Sequence, residues 1–219
     1  PEEKFITTEC NAEPYTHVFD GYLTWHFQYA DQVPLFAAVY GGQIQLFGRA
    51  YGGEAVAPRM KVAQALVWGE QLGWYPPTVI DDPKVGPFLR RASRIRYALR
   101  DFLATGTMEH PPTVEGAIPD ITSDWRWYGE SIRTYSALQR GAWRSRDGRL
   151  AVLFANVADE PLSFTWTWDG SRFDPAGPTR VVTEEGSEPG PELTTPGAVQ
   201  IELGPQEIRA YVTAAPGDY

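Results

Sequence analysis

The hydrophobic period of this chain changes once along its length, and that change restricts it to a few folds. Before Gly106, short apolar runs alternate with segments whose apolar residues recur every three or four positions. From Leu138 onward the period is two. Side chains repeat every 3.6 residues on a helix and every 2.0 on a strand, so neither pattern buries cleanly as the other. The expectation is an α/β region followed by an all-β region.

In the first region Phe5–Thr8 reads as a strand. "HVFDGYLTWHFQYA" places Val18, Tyr22, Trp25 and Tyr29 at helix-like steps. The continuous apolar run "VPLFAAVYG", Val33 to Gly41, fits a parallel strand buried on both faces. "PRMKVAQALVW" gives a short helix through Met60, Ala63, Leu66 and Val67, with Pro58 in its first turn, where a missing N–H matters least. "WGEQLGWYPP" supplies a further short strand. From about Pro87 to Thr105 the stripe Phe88, Ala92, Ile95, Leu99 and Phe102 predicts a long helix that Gly106 stops.

"EHPPTVEGAIPDITSDW" is proline-rich and reads as an irregular connection. In the second region "SRDGR" predicts a hairpin turn whose Asp-Gly pair supplies positive φ. Strict alternation in "SFTWTW" puts Phe164, Trp166 and Trp168 on one face. "GAVQIELGPQEIRAYVTA" holds two more strands, and "GSEPGPELTTPG" reads as a loop of turn-formers. Several short antiparallel strands in this span suggest a small β-sandwich.

Three βα units cannot close an eight-stranded barrel, and a small open parallel sheet leaves its edges bare. The expected fold class is therefore α/β plus all-β: the last three βα units of a (β/α)8 TIM barrel, present as a fragment, then a C-terminal antiparallel β-sandwich. The corresponding division is residues 1–110, a connecting segment 111–137, and 138–219.

The net charge of −9 argues against nucleic acid and anionic membranes as partners, since both need a basic footprint. The basic run "RRASRIRYALR" reads as the solvated face of a helix. Cys10 is the single cysteine, so no internal disulfide forms, and its carboxylate neighbours disfavour a thiolate. His17, His26 and His110 are scattered without ligand spacing, so neither metal nor cofactor is expected. "GRAYGG" and "AVYGG" lack the context of a phosphate cradle.

The candidate chemistry lies in carboxylates at strand ends. Glu9 suits a general acid or base, with a helix-start anion as the structural alternative. Glu13, before Pro14 and Tyr15, invites the same two readings. Glu70, between Gly69 and Gly73, suits a strand end at a site or a bond to a neighbouring backbone N–H. Asp20 is expected on or near the following helix. Trp25, Tyr40, Trp74 and Tyr75 could stack on sugar faces or pack in the core, and so could Trp143, Trp166 and Trp168.

Taken together, "TTECNAEPY", "VPLFAAVYGG", "ALVWGEQLGWY", "AWRSRDGRLAVLFANVADEP" and "GPQEIRAY" resemble the C-terminal half of bacterial glycoside-hydrolase-like proteins, multidomain and largely uncharacterised, with a TIM barrel and an appended β-sandwich. The resemblance implies an oligo- or polysaccharide partner, with the upstream half of the same barrel as a second partner. It further implies acid–base hydrolysis of a glycosidic bond. It places Glu9, Glu13 and Glu70 as candidate catalytic carboxylates at the barrel rim. Tyr15, Asp20, Tyr40 and Trp74 become candidate substrate contacts. "FITTE" would be the sixth strand, "VPLFAAVY" the seventh and "WGEQLGW" the eighth. Two facing carboxylates are needed, and one could lie on a strand outside these residues, which would leave this portion inactive alone. A non-catalytic carbohydrate-binding or structural module is the alternative.

Overall fold

A computed structural model describes residues 4–9, 12–24, 27, 32–53, 56–126 and 129–214. Cys10, Trp25, His26 and Tyr29 lie outside the described residues.

The chain opens with a parallel sheet of three short strands in the order β1 (Thr7–Thr8), β2 (Gly21–Leu23) and β3 (Gln45–Phe47). A parallel bridge from Phe47 to Gln71 extends it by one more segment. A 3-10 turn, Glu13–Tyr15, follows β1. Helix α1 (Leu35–Tyr40) precedes β3, and α2 (Ala57–Val67) follows it. Helices α3 (Gly86–Ala98) and α4 (Arg100–Leu103) complete this region.

Two expectations are corrected here. The "HVFDGYLTWHFQYA" segment contains β2 rather than a helix: Gly21 sits so close to β3 that a Cβ would meet Gln45 O and the Phe47 ring at 3.0 Å. The run "VPLFAAVYG" is helical over Leu35–Tyr40, and the strand comes a few residues later at Gln45–Phe47. Only Ala37 of that helix is buried, so the run lies over one side of the sheet instead of inside it. A short apolar run containing an Ala pair carries no period that separates helix from strand.

Helix α2 falls where the sequence places it, whereas the single helix expected from about Pro87 to Thr105 is divided at Leu99 into α3 and α4. Phe88, Ala92, Ile95 and Leu99 are buried as one stripe, and Pro87 occupies the first turn. All eleven residues of α2 are buried, because it is wedged between α3 and a large antiparallel sheet.

The rest is antiparallel. Strands β4 (Thr107–Glu109), β5 (Thr113–Glu115), β6 (Asp120–Asp124) and β7 (Ile132–Ser136) come first. They are followed by β8 (Leu138–Arg144), β9 (Leu150–Asn156), β10 (Leu162–Trp168) and β11 (Thr179–Thr183). Strands β12 (Gly186–Pro189), β13 (Gly197–Leu203) and β14 (Ile208–Thr213) end the chain. They form a six-stranded sheet, β12-β11-β14-β9-β8-β4, a three-stranded sheet, β13-β10-β5, and the β6–β7 hairpin. The stretch expected to be irregular thus supplies β5, β6 and the last residue of β4, and β12 lies within the expected loop.

The six-stranded sheet is covered on both faces at its centre, while its edge strand β12 is exposed. Ala151, Leu153 and Ala155 of β9 join a core with α2 and α3, and the two alanines leave room for the helices to approach. At Gly141 of β8 a Cβ would meet Val67 O at 2.8 Å, so the backbone of α2 rests on this strand. Leu150, Val152 and Phe154 point the other way, into a second core with Phe164, Trp166 and Leu203. Phe164, Trp166 and Trp168 share that inward face, as their alternation requires. The "SRDGR" hairpin turn forms with Gly148 at φ 90° and Ser145 N donating to Arg149 O at 2.9 Å.

Candidate functional site

Strand register decides which carboxylates can face a substrate. Thr8, Tyr22 and Leu46 align in one row, and Tyr22 and Leu46 are buried against the helices. Thr7, Gly21 and Gln45 align in the row before, and Leu23, Phe47 and Gln71 in the row after. In these two rows Leu23, Gln45 and Phe47 are half-buried while Thr7 and Gln71 are exposed. The parallel sheet therefore has one face packed on helices and one face open, with its side chains alternating between them.

Glu9 follows Thr8 at the C-terminal end of β1, and continuing the register puts it beside Leu23, Phe47 and Gln71, in the open-face row. It is exposed. Trp74 stands beyond Gly73 at the same end of the sheet and is 62% exposed. These two candidates share the C-terminal edge.

Glu13, Tyr15 and Tyr40 are placed elsewhere. Tyr40 ends α1 rather than a strand, and its hydroxyl donates to Glu13 Oε1 at 2.6 Å. That hydrogen bond, with burial and the Glu13 charge, holds the Tyr40 phenol above its ordinary pKa. Rings run edge to face from Tyr15 to Phe19, Tyr22 and Phe36, and Phe36 leans at a tilt on Tyr40. A cavity of about 340 Å³ is lined by Glu13, Phe36 and Tyr40. Asp20 lies at the opposite end of the strands, where Oδ2 accepts the Ile6 amide at 2.7 Å. It precedes β2 and ties it to β1, instead of starting a helix.

Glu70 is fully buried. It has the strand parity of Tyr22 and Leu46, one residue before the open-face Gln71. Arg49 Nη2 pairs with Glu70 Oε1, and Thr24 Oγ1 donates to Oε2 at 2.5 Å. Gly48 at φ 80° turns the chain after β3 and brings Arg49 to this carboxylate. Arg49 also donates to Gln64 Oε1, Gln64 donates to the Tyr135 hydroxyl, and the guanidinium lies 5.2 Å from the Trp68 ring centroid. Arg96 adds a bond to the Glu70 carbonyl at 2.8 Å. The network joins the parallel sheet, α2, α3 and the β6–β7 hairpin.

A second buried cation lies nearby. Lys61 Nζ donates to the carbonyls of Gly52 and Trp125, both at 2.7 Å, and sits 5.4 Å from the Trp125 ring centroid. Burial, reinforced by the Arg49 charge and opposed by Asp124, pushes its pKa down to about 7. Sequence reading missed Arg49, Gln64, Lys61 and Tyr135. The available signal, for Lys61 and Gln64 only, was polar side chains (Arg59, Lys61 and Gln64) inside an otherwise apolar helix pattern, "PRMKVAQALVW".

Trp143, Trp166 and Trp168 are core residues; Trp143 Nε1 donates to Val67 O at 2.9 Å. Among the described residues no group of three His, Cys, Asp or Glu stands at metal-binding range, and no helix is long and apolar enough to cross a membrane.

No protein-family model matches the chain. A Bacteroides thetaiotaomicron protein provisionally named a glycoside hydrolase is similar to it, with 26% identity over 175 residues. That match covers 75% of this chain and 25% of that protein, so the chain spans about a quarter of the relative's length. A noncanonic maltogenic α-amylase from Thermotoga neapolitana superposes with a TM-score of 0.54 at 12% identity, over 97% of this chain and 55% of that one. At such identity the likeness is one of fold.

Proposed function

We propose that these residues are the C-terminal portion of a glycosidase-type protein that acts on a carbohydrate, built as the last βα units of a (β/α)8 barrel and a β-sandwich. The observation that carries this reading is the parallel sheet with one covered and one open face, and Glu9 at its C-terminal end. Parallel sheets are normally buried on both faces, so the open face calls for a further layer. Preceding βα units of the same polypeptide would supply it by closing the barrel. The much longer glycoside-hydrolase-named relative supports the same reading. In such barrels chemistry gathers at the C-terminal ends of the strands, where Glu9 and Trp74 stand.

Glu9 acts here as one carboxylate of a pair that cleaves a glycosidic bond, as acid/base or as nucleophile. Its partner comes from strands outside these residues. A retaining pair lies about 5–5.5 Å apart and an inverting pair about 6.5–9.5 Å, the wider gap admitting a water. Trp74 offers an exposed ring for a sugar to stack on. Glu13 holds α1 through Tyr40, and Glu70 holds the interior through Arg49, so both leave the catalytic set.

The test is Glu9→Gln in the full-length protein, assayed on a panel of oligo- and polysaccharides. Turnover falls by about 10²–10⁴-fold while binding is retained. Unchanged turnover removes Glu9 from the reaction. The 219-residue chain alone is expected to turn over nothing, because it lacks the second carboxylate.

A further inference from the structure

The β6–β7 hairpin pairs with neither of the large sheets, yet the end of β6, at Asp124 and Trp125, is fastened to the loop that follows β3. Lys61 Nζ bridges the Gly52 carbonyl of that loop and the Trp125 carbonyl of the hairpin. Gly53 lies so close that a Cβ would meet Asp124 O at 3.0 Å. Trp125 stacks on Tyr135 with ring centroids 4.9 Å apart, and Gln64 reaches the Tyr135 hydroxyl. Every one of these anchoring side chains is buried. The loop after β3 lies at the C-terminal end of the parallel strands, the edge that carries Glu9 and Trp74.

Immediately beyond the anchor the chemistry changes. Arg126 adopts φ 45°, a left-handed conformation usually given to glycine or asparagine. Its amide and that of Ser131 both donate to Asp124 Oδ1, at 2.9 and 2.7 Å, which ties these two backbone positions to β6. The Arg126 side chain is 56% exposed, with Nε 3.7 Å from Asp124 Oδ2. A strained backbone held by a buried base and presenting a half-exposed guanidinium fits a side chain being aimed, since such strain concentrates at working sites.

We propose that the β6–β7 hairpin forms one wall of the substrate cleft and that Arg126 contacts the substrate as a specificity residue. The proposal rests on the glycosidase reading given above. A guanidinium donates to oxygen acceptors, so its ligand is either a sugar hydroxyl or the carboxylate of an acidic sugar. The segment that connects the two regions then does more than link them: it supplies part of the binding surface.

The test uses the full-length protein with Arg126→Ala and Arg126→Lys, assayed on neutral and on uronic-acid-containing oligosaccharides. Arg126→Ala raises KM by about tenfold or more, the effect of losing one charged hydrogen bond, with kcat within about twofold. Arg126→Lys recovers part of the loss. A rise confined to the acidic glycans identifies a carboxylate ligand, and a rise on both identifies hydroxyls. If Glu9→Gln abolishes turnover while both Arg126 variants keep the wild-type KM on every glycan, the hairpin wall is overturned and the glycosidase reading survives. If the wild-type protein hydrolyses nothing on the panel, both fall together.

Discussion

The parallel and antiparallel sheets of this molecule are buried in different ways. Strand β9 is buried at all seven positions, with alanines and Leu153 toward the helices and Leu150, Val152 and Phe154 toward the second sheet. The parallel sheet is packed on one side only: Tyr22 and Leu46 are buried while Leu23, Gln45 and Phe47 remain half-buried. The same difference governs charge. Glu70 lies on the covered side and is matched by Arg49 and Thr24, whereas Glu9 lies in the open row. The covered face commits Glu70 to a buried ion pair, and the open row leaves Glu9 exposed at the edge of the sheet.

The largest expected effect tests the doubly covered side. Phe154→Ala removes a fully buried ring that contacts Phe164, Trp166 and Tyr211, and should destabilise by about 3–5 kcal/mol in urea denaturation. A loss below about 1 kcal/mol would break the claim that this sheet is sealed on that face. Glu70→Ala should destabilise by a similar 3–5 kcal/mol, since it leaves Arg49 buried without its anion. The pair Arg49→Met with Glu70→Leu should come much closer to wild type. If single and double variants lose the same stability, the ion pair is not what holds this layer.

Lys61 gives a smaller, pH-dependent effect. Its folded pKa of about 7 lies below the ordinary 10.5, so between those values the unfolded chain binds more protons than the folded one. Stability from this group therefore rises with pH across that window, by up to about 1.4 kcal/mol per unit, and is flat below it, where both states are protonated. Urea midpoints at pH 7, 8 and 9 measure the slope, and Lys61→Met should remove this contribution. The smallest effect sharpens the comparison of faces. Leu23→Ala should lose less than about 1 kcal/mol in the 219-residue chain, where its face is open, and about 2–5 kcal/mol in the full-length protein if further strands cover it. Equal losses in both would mean that nothing covers this face.

Much of the architecture was legible because it rests on local rules. The stripe Phe88, Ala92, Ile95 and Leu99 could only be one face of a helix, and Phe164, Trp166 and Trp168 could only share one face of a strand. The Asp-Gly pair in "SRDGR" fixed its turn through the positive φ at Gly148. Less of the candidate site was legible. Glu9 and Glu70 both looked like strand-end carboxylates, and nothing within a few residues of either distinguishes them.

By itself the sequence determined the periods, the turn between β8 and β9, helices α2 and α3, and the presence of acids near strand ends, because these depend on neighbours a few positions away. The tertiary structure alone decided that Val33–Gly41 yields a helix and that Tyr22 sits in a strand, since a short apolar run folds either way until a partner buries it. It also decided which acid is sequestered. Glu70 meets Arg49 across 21 residues and Lys61 reaches Trp125 across 64, contacts set by strand register and by the layer each side chain enters.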